Sequence, residues 1–237
     1  MSGRRSQYWL SFVTISILSM IFLLTATAKA LVFETFDGNL SKWRKSMSGS
    51  GMSDALIFLH NGNRVLQFFV SAAAKSNGLP NGKFENLYRT VCSIRGDFIL
   101  TADYNVTGMP PRSGVRTSLG LLNTLTGLQV MHVERAGYKA GDVVPNGGEY
   151  VTASMPGRAV PLGVSSWSGK FTLVRAGSRI SVWHTDAFSN RSIVTFETSY
   201  TGPVQVYIGT HSRDAVFSDV NSWSYFDNII IQNNACK

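Results

Sequence analysis

The sequence predicts an all-β fold, a sandwich or a barrel, and three observations carry that prediction. Past residue 30, apolar and polar residues alternate with a period of two in short runs. These runs recur every ~8–12 residues between Gly, Asn, Asp, Pro and Ser clusters, the spacing of a sandwich or barrel. No stretch of roughly eleven or more residues after Ala30 holds the 3.6-residue period of an amphipathic helix.

The clearest unit is Trp167 to His184, WSGKFTLVRAGSRISVWH. Phe171 and Leu173 alternate with Thr172 and Val174, and Ile180 and Val182 repeat the pattern beyond Arg175-Ala176-Gly177-Ser178. Two such runs joined by a short Gly-containing link read as a β-hairpin, with Gly177 free to take positive φ. A second hairpin is predicted at His60-Asn61-Gly62-Asn63, between Ala55–Leu59 and Val65–Val70, because Asn-Gly suits a tight primed turn.

The other elements follow in order. Leu31 to Phe36 alternates as a strand and ends at the turn Asp37-Gly38-Asn39. Ser46 to Ser53, SMSGSGMS, reads as a Gly/Ser loop, and Ala72 to Lys83 as a turn-rich connection. Phe84–Ile94 and Asp97–Val106 are strands, the latter with Phe98, Leu100, Ala102, Tyr104 and Val106 on one face. Val115–Leu122 and Leu128–Glu134 form another pair. Ala136 to Gly148 reads as a long surface loop, Tyr150–Ser154 as a short strand and Met155–Val164 as irregular. Ser192–Thr198, Val204–Gly209 and Trp223–Ile231 complete the strands, with His211–Asn221 polar between the last two.

Residues 1–30 stand apart. Arg4 and Arg5 precede an apolar run from Trp9 to about Leu24, and Ala28-Lys29-Ala30 supplies small residues for cleavage. This is the layout of a secretory signal peptide cut before Leu31. It predicts a signal-peptide helix followed by one domain over residues 31–237, with secreted, periplasmic or extracellular residence and no membrane attachment after cleavage.

The chain carries a formal charge of +8, of which Arg4, Arg5 and Lys29 would leave with the leader. The remaining Lys and Arg are scattered singly rather than gathered in a stripe, which argues against a nucleic-acid partner. In an oxidising compartment the two cysteines, Cys92 and Cys236, are expected to pair as one disulfide.

Several segments together look like the concanavalin A-like lectin/glucanase jelly roll, in its laminin-G-like bacterial branch. They are Phe33–Trp43 (FETFDGNLSKW), Lys170–Arg175 with Ile180–Trp183, Gly202–Gly209 (GPVQVYIG) and Phe226–Ile229. The resemblance implies two antiparallel sheets in a sandwich with the first and last strands side by side. Proteins of this superfamily bind sugars, cleave them or serve as interaction modules, so the fold leaves the choice open.

The retaining glucanases of this fold carry Glu-x-Asp-x-x-Glu, which is absent here. Gln129-Val130-Met131-His132 and Tyr138-Lys139-Ala140-Gly141 resemble fragments of lyase motifs of the same fold, beside Arg116. Their spacing is shorter than the lyase pattern, and Arg116-Thr117-Ser118-Leu119-Gly120 lacks its acid and second Arg.

The sequence therefore predicts a carbohydrate-binding or cell-surface interaction module, with a glycoside hydrolase or lyase as the alternative. The expected partner is a polysaccharide or cell-surface glycan. Candidate ligand residues are His132, Arg135, Tyr138 and Tyr150, which frame the segment Ala136–Gly148, and Arg116, on a strand expected to pair near Leu128–Glu134, as a planar donor fork for a carboxylate. No cofactor is required by any motif. Asp37 and Asp227 would approach one another if the terminal strands pair, and a structural calcium ion is common in this superfamily.

Overall fold

A computed structural model describes residues 31–52, 54–75, 84–108, 115–138, 146–164, 166–212 and 221–232. The expected signal peptide and Cys236 lie outside the described residues. The strands in chain order are β1 (Leu31–Glu34), β2 (Trp43–Ser48), β3 (Ser50–Met52), β4 (Leu56–His60), β5 (Asn63–Lys75), β6 (Glu85–Thr90), β7 (Phe98–Thr107) and β8 (Val115–Asn123). There follow β9 (Gln129–Tyr138), β10 (Gly148–Met155), β11 (Arg158–Val164), β12 (Ser168–Ala176), β13 (Arg179–Asp186), β14 (Arg191–Glu197), β15 (Val204–Ser212) and β16 (Ser222–Gln232).

They build two antiparallel sheets. A nine-stranded sheet runs β14-β13-β12-β7-β16-β5-β3, with β1 also on β16 and β4 also on β5. A seven-stranded sheet runs β11-β10-β9-β8-β15-β6-β2. The first and last strands are neighbours as expected: Leu31 pairs with Ile231 and Val32 with Ile230.

The core between the sheets follows from the period-two patterning. In β7 the burial alternates strictly along the strand, with Phe98, Leu100, Ala102, Tyr104 and Val106 turned inward. Phe171 and Leu173 of β12 and Ile180 and Val182 of β13 join them. Tyr104 and Phe171 stack with ring centroids 4.1 Å apart. From the seven-stranded sheet come Leu119, Leu121, Val133, Ala153, Val206 and Ile208. Each fully buried Leu, Ile, Val or Phe contributes about 1.5–3 kcal/mol relative to exposure.

Both expected hairpins form. Ala176 pairs with Arg179 around Gly177, whose φ is 58°. His60 pairs with Asn63 around Asn61 and Gly62, with φ of 50° and 84°. Two positive φ values in succession are what a primed two-residue turn requires, and Asn-Gly meets that demand cheaply.

Four segments differ from the sequence reading. Residues 46–52 form the second half of β2 and the whole of β3 rather than a loop. Ser and Gly there pair through the backbone at a sheet edge, which needs no apolar pattern. β5 continues to Lys75 for the same reason, its far end pairing with β3. Residues 158–164 form the edge strand β11, whose Pro161 sits where the register shifts. β9 runs through Ala136 to Tyr138, the first part of the expected long loop, and residues 139–145 lie outside the described residues.

Candidate functional site

The site lies on the outer face of the seven-stranded sheet and is set by register. Residues opposite one another on adjacent strands share a face, with Cβ atoms about 4.5–5.5 Å apart. One row across the strands reads Glu85, His211, Arg116, Ala136 and Tyr150. The next reads Leu87, Gly209, Ser118, Glu134 and Thr152. The third reads Arg44, Arg89, Tyr207, Gly120, His132 and Ser154.

These rows bring four ionisable side chains together. The Arg116 guanidinium donates from Nη1 to Glu134 Oε1, with both side chains almost wholly buried. His132 Nε2 lies 3.2 Å and His211 Nε2 3.3 Å from Glu134 Oε2. Ser118 Oγ is 3.0 Å from His211 Nδ1. The two imidazole rings meet edge to face with centroids 6.1 Å apart.

Burial disfavours the charged form of Glu134, but His132 and Arg116 outweigh it and hold the carboxyl well below the usual carboxylate range. Burial lowers the His211 value, while Glu134 works in the opposite direction. His211 is therefore a neutral imidazole at neutral pH, able to accept a proton. Tyr207 is buried, and its hydroxyl is pushed well above its ordinary value by desolvation and then by Glu134 and Glu85. It stays a proton-bearing phenol.

A recess of about 500 Å³ opens over this cluster, lined by Glu85, Gln129, His132, Glu134, Arg158 and His211 among others. The exposed Arg158 stands at its margin, packed over the Phe196 ring at 5.0 Å. The recess can take a polar, hydroxyl-rich ligand, with His, Glu and Arg groups at its base.

The structure brings Arg116 and His132 together, as the sequence suggested. Tyr150 occupies the end of the first row and is half-buried. Tyr138 closes β9, and its side chain lies outside the described residues. Arg135 faces the other way. It follows Glu134 on β9, is fully buried between the sheets, donates to Glu149 Oε2 at 2.6 Å and lies over the Trp167 ring at 5.3 Å. It is neither on a loop nor in the recess.

Sequence reasoning passed over Glu134, Tyr207 and His211 as site residues. The usable signal was the alternation of Tyr207, Gly209 and His211 along VQVYIGTHS, which puts all three on one face of β15.

Asp37 and Asp227 do lie within electrostatic reach. Burial raises the Asp227 carboxyl, and Asp103 and Asp37 add to the rise while the Asn228 amide opposes it. Asp103 is already engaged by Lys170 at 3.1 Å and by the Asn228 side chain at 2.9 Å. Among the described residues no group of three or more acidic, histidine or cysteine side chains is disposed to hold a metal ion.

No family model and no curated protein matches the chain. Solved structures do. An alginate lyase from Corynebacterium sp. superposes with a TM-score of 0.57 at 8% identity, covering 87% of this chain and 99% of that one. A pseudo β-1,3-glucanase and immunostimulatory antigen of Mycobacterium tuberculosis gives 0.56 at 12% identity, over 86% and 97%. A Bauhinia forficata lectin in complex with GalNAc gives 0.54 at 11% identity, over 86% and 98%. The fold is the concanavalin A-like jelly roll. At these identities the likeness concerns the fold alone, and it does not single out the laminin-G-like branch.

Proposed function

We propose that the protein is a secreted carbohydrate-binding protein that holds a polysaccharide on the outer face of its seven-stranded sheet. One observation carries the reading: the recess of about 500 Å³ sits over a floor of His132, Glu134, His211 and, below them, Arg116. Convergent polar groups in a concavity are what fix the orientation of a hydroxyl-rich ligand. A lyase, a glucanase-like antigen and a lectin with GalNAc share the fold, which supports a carbohydrate partner.

The second reading is a polysaccharide lyase, and a specific observation favours it. His211 is held neutral beside an ion-paired Arg–Glu couple, with the protonated Tyr207 two rows along the same face of β15. In β-elimination from a uronate, a neutral base removes the proton next to the carboxylate. That electron pair becomes the new carbon–carbon double bond as the bond to the glycosidic oxygen breaks. The oxygen leaves with a proton from an acid. Hydrolysis fits the recess less well, because it needs a flanking pair of carboxylates. Glu85 and Glu134 stand in different rows on strands separated by β15 and β8.

The test is calorimetric titration of the secreted protein with uncharged and uronate polysaccharides, with ultraviolet absorbance recorded for unsaturated uronate ends. Saturable binding that His132→Ala weakens is expected. Absence of binding to every polymer overturns the reading. Unsaturated ends formed by the wild type and not by His211→Ala move the assignment to the lyase.

A further inference from the structure

The third row of the outer face extends beyond the recess to Arg89 on β6 and Arg44 on the edge strand β2. The two arginines are direct register partners. Their neighbours Trp43 and Tyr88 point into the core, so Arg44 and Arg89 project from the same outer face as Tyr207 and His132. Like charges directly opposite on adjacent strands repel and destabilise the pair.

Nothing among the described residues relieves that repulsion. Several other strand cations have acidic partners: Arg116 with Glu134, Arg135 with Glu149, Arg179 with Glu197, Lys45 with Asp54 and Lys170 with Asp103. Arg175 instead donates to the Gly202 carbonyl, and Arg158 and Arg191 lie over aromatic rings. Among the described residues neither Arg44 nor Arg89 pairs with an acid. Arg89 Nε is also buried without a hydrogen-bond partner there. A buried donor left unmade is costly and is ordinarily satisfied by something.

We propose that Arg44 and Arg89 form a subsite for an anionic group, a carboxylate or sulfate, of the glycan chain held on this face. The inference rests on the glycan-binding reading and adds the substrate class: the polymer is acidic. Planar guanidinium groups match such oxyanions two hydrogen bonds at a time. Bound between the two side chains, the anion turns their repulsion into attraction and meets the orphaned Nε. Three strand spacings separate Arg89 from His132, a distance of about 14 Å across the sheet. A chain laid across the strands therefore meets the recess and the arginine pair at different sugar residues.

Arg44 on an edge strand also discourages edge-to-edge pairing. That role alone requires neither a cation opposite it nor a response to anions. The experiment separates the two on the secreted full chain, with Arg44→Ala, Arg89→Ala and Arg44→Glu. Inorganic sulfate and acetate are titrated against the thermal midpoint. A polyuronate, a sulfated glucan and an uncharged glucan are titrated by calorimetry at low and raised salt.

Sulfate or acetate is expected to stabilise the wild type and not the variants. Arg44→Glu is expected to stabilise the ion-free protein by supplying a cross-strand partner. Affinity for an acidic polymer falls about tenfold in each alanine variant, with a shallower salt dependence, while any affinity for the uncharged glucan is kept. Preference between polyuronate and sulfated glucan identifies which anion the subsite takes. If polymers bind but the variants match the wild type in every titration, the subsite is overturned and the groove stands. If the small anions act as expected but no polymer binds, the anion site stands and the glycan reading falls.

Discussion

Gly120 lies directly against the ring of Tyr207: a Cβ built on Gly120 would stand 2.3 Å from Tyr207 Cε1 and 2.6 Å from its hydroxyl oxygen. Gly120 is also the register partner of His132 on its other side. The missing side chain thus lets the phenol lie toward the Glu134 cluster, where that carboxylate influences its proton. Gly120→Ala is expected to cost about 1–3 kcal/mol through overpacking and to weaken glycan binding by displacing the ring. Denaturant unfolding and calorimetry check it, and Tyr207→Leu in the same chain should recover part of the stability.

Arg116 is a second case where geometry decides the outcome. Read as an exposed donor fork, it could be removed with little effect on stability. With 2% exposure and a buried bond to Glu134, it cannot. Arg116→Ala leaves an uncompensated buried carboxylate and is expected to cost about 3–5 kcal/mol. Replacing both partners, Arg116→Met with Glu134→Leu, should regain most of that loss. Chemical denaturation of the single and double variants measures the coupling.

The hairpins were legible because their information is local, whereas the pairing of the first and last strands, Leu31 with Ile231, came from the resemblance. Asn61-Gly62 and Gly177 encode their turns, and the strict alternation of Phe98 to Val106 encodes its face. Edge strands β2, β3 and β11 were hidden because their pairing is made by backbone groups, to which Ser, Gly and Arg contribute as well as Val. The site was half legible. Arg116 and His132 stood out by residue type, but their meeting with Glu134 and His211 depends on the register of β8, β9 and β15. No local pattern joins His211 to Arg116 across so much chain. Arg135 shows the reverse error, since a one-residue step along β9 carries a side chain from the recess to the space between the sheets.

Acid should destabilise the fold in two stages. His184 is buried with Nε2 2.9 Å from the Tyr104 hydroxyl, and desolvation lowers its value from 6.5 to about 4. Above pH 6.5 it is neutral in both folded and unfolded chains and contributes no pH dependence. Below that, the unfolded chain takes up a proton that the folded chain refuses, so stability falls between about pH 6.5 and 4. The loss from this residue is roughly 2–3 kcal/mol. His211, also lowered, adds to the same descent. Glu134 acts later: its stabilisation is present above the ordinary carboxylate range and is lost only as pH falls through its depressed folded value. Urea unfolding across this range should show the first descent, and His184→Gln should flatten part of it. An unchanged profile in that variant would remove His184 as the cause.

The last expectation concerns the two cysteines. Cys92 is half-buried against the core just after β6, its carbonyl accepting a hydrogen bond from Thr90 Oγ1 at 2.9 Å. Gln232, the end of β16, pairs with Ile99 at the start of β7, the strand that follows the Cys92 segment. Cys236 lies four residues beyond Gln232, a reach of at most about 14 Å for extended chain. A Cys92–Cys236 disulfide would tie the chain beyond β16 to the segment that leads into β7. By chain entropy such a long loop contributes about 4–5 kcal/mol. Mass spectrometry of the unreduced protein should find no alkylatable thiol, and Cys92→Ser should lower the thermal midpoint. Two alkylated cysteines in the unreduced protein would leave the last strand held by its pairing with β7, β5 and β1 alone.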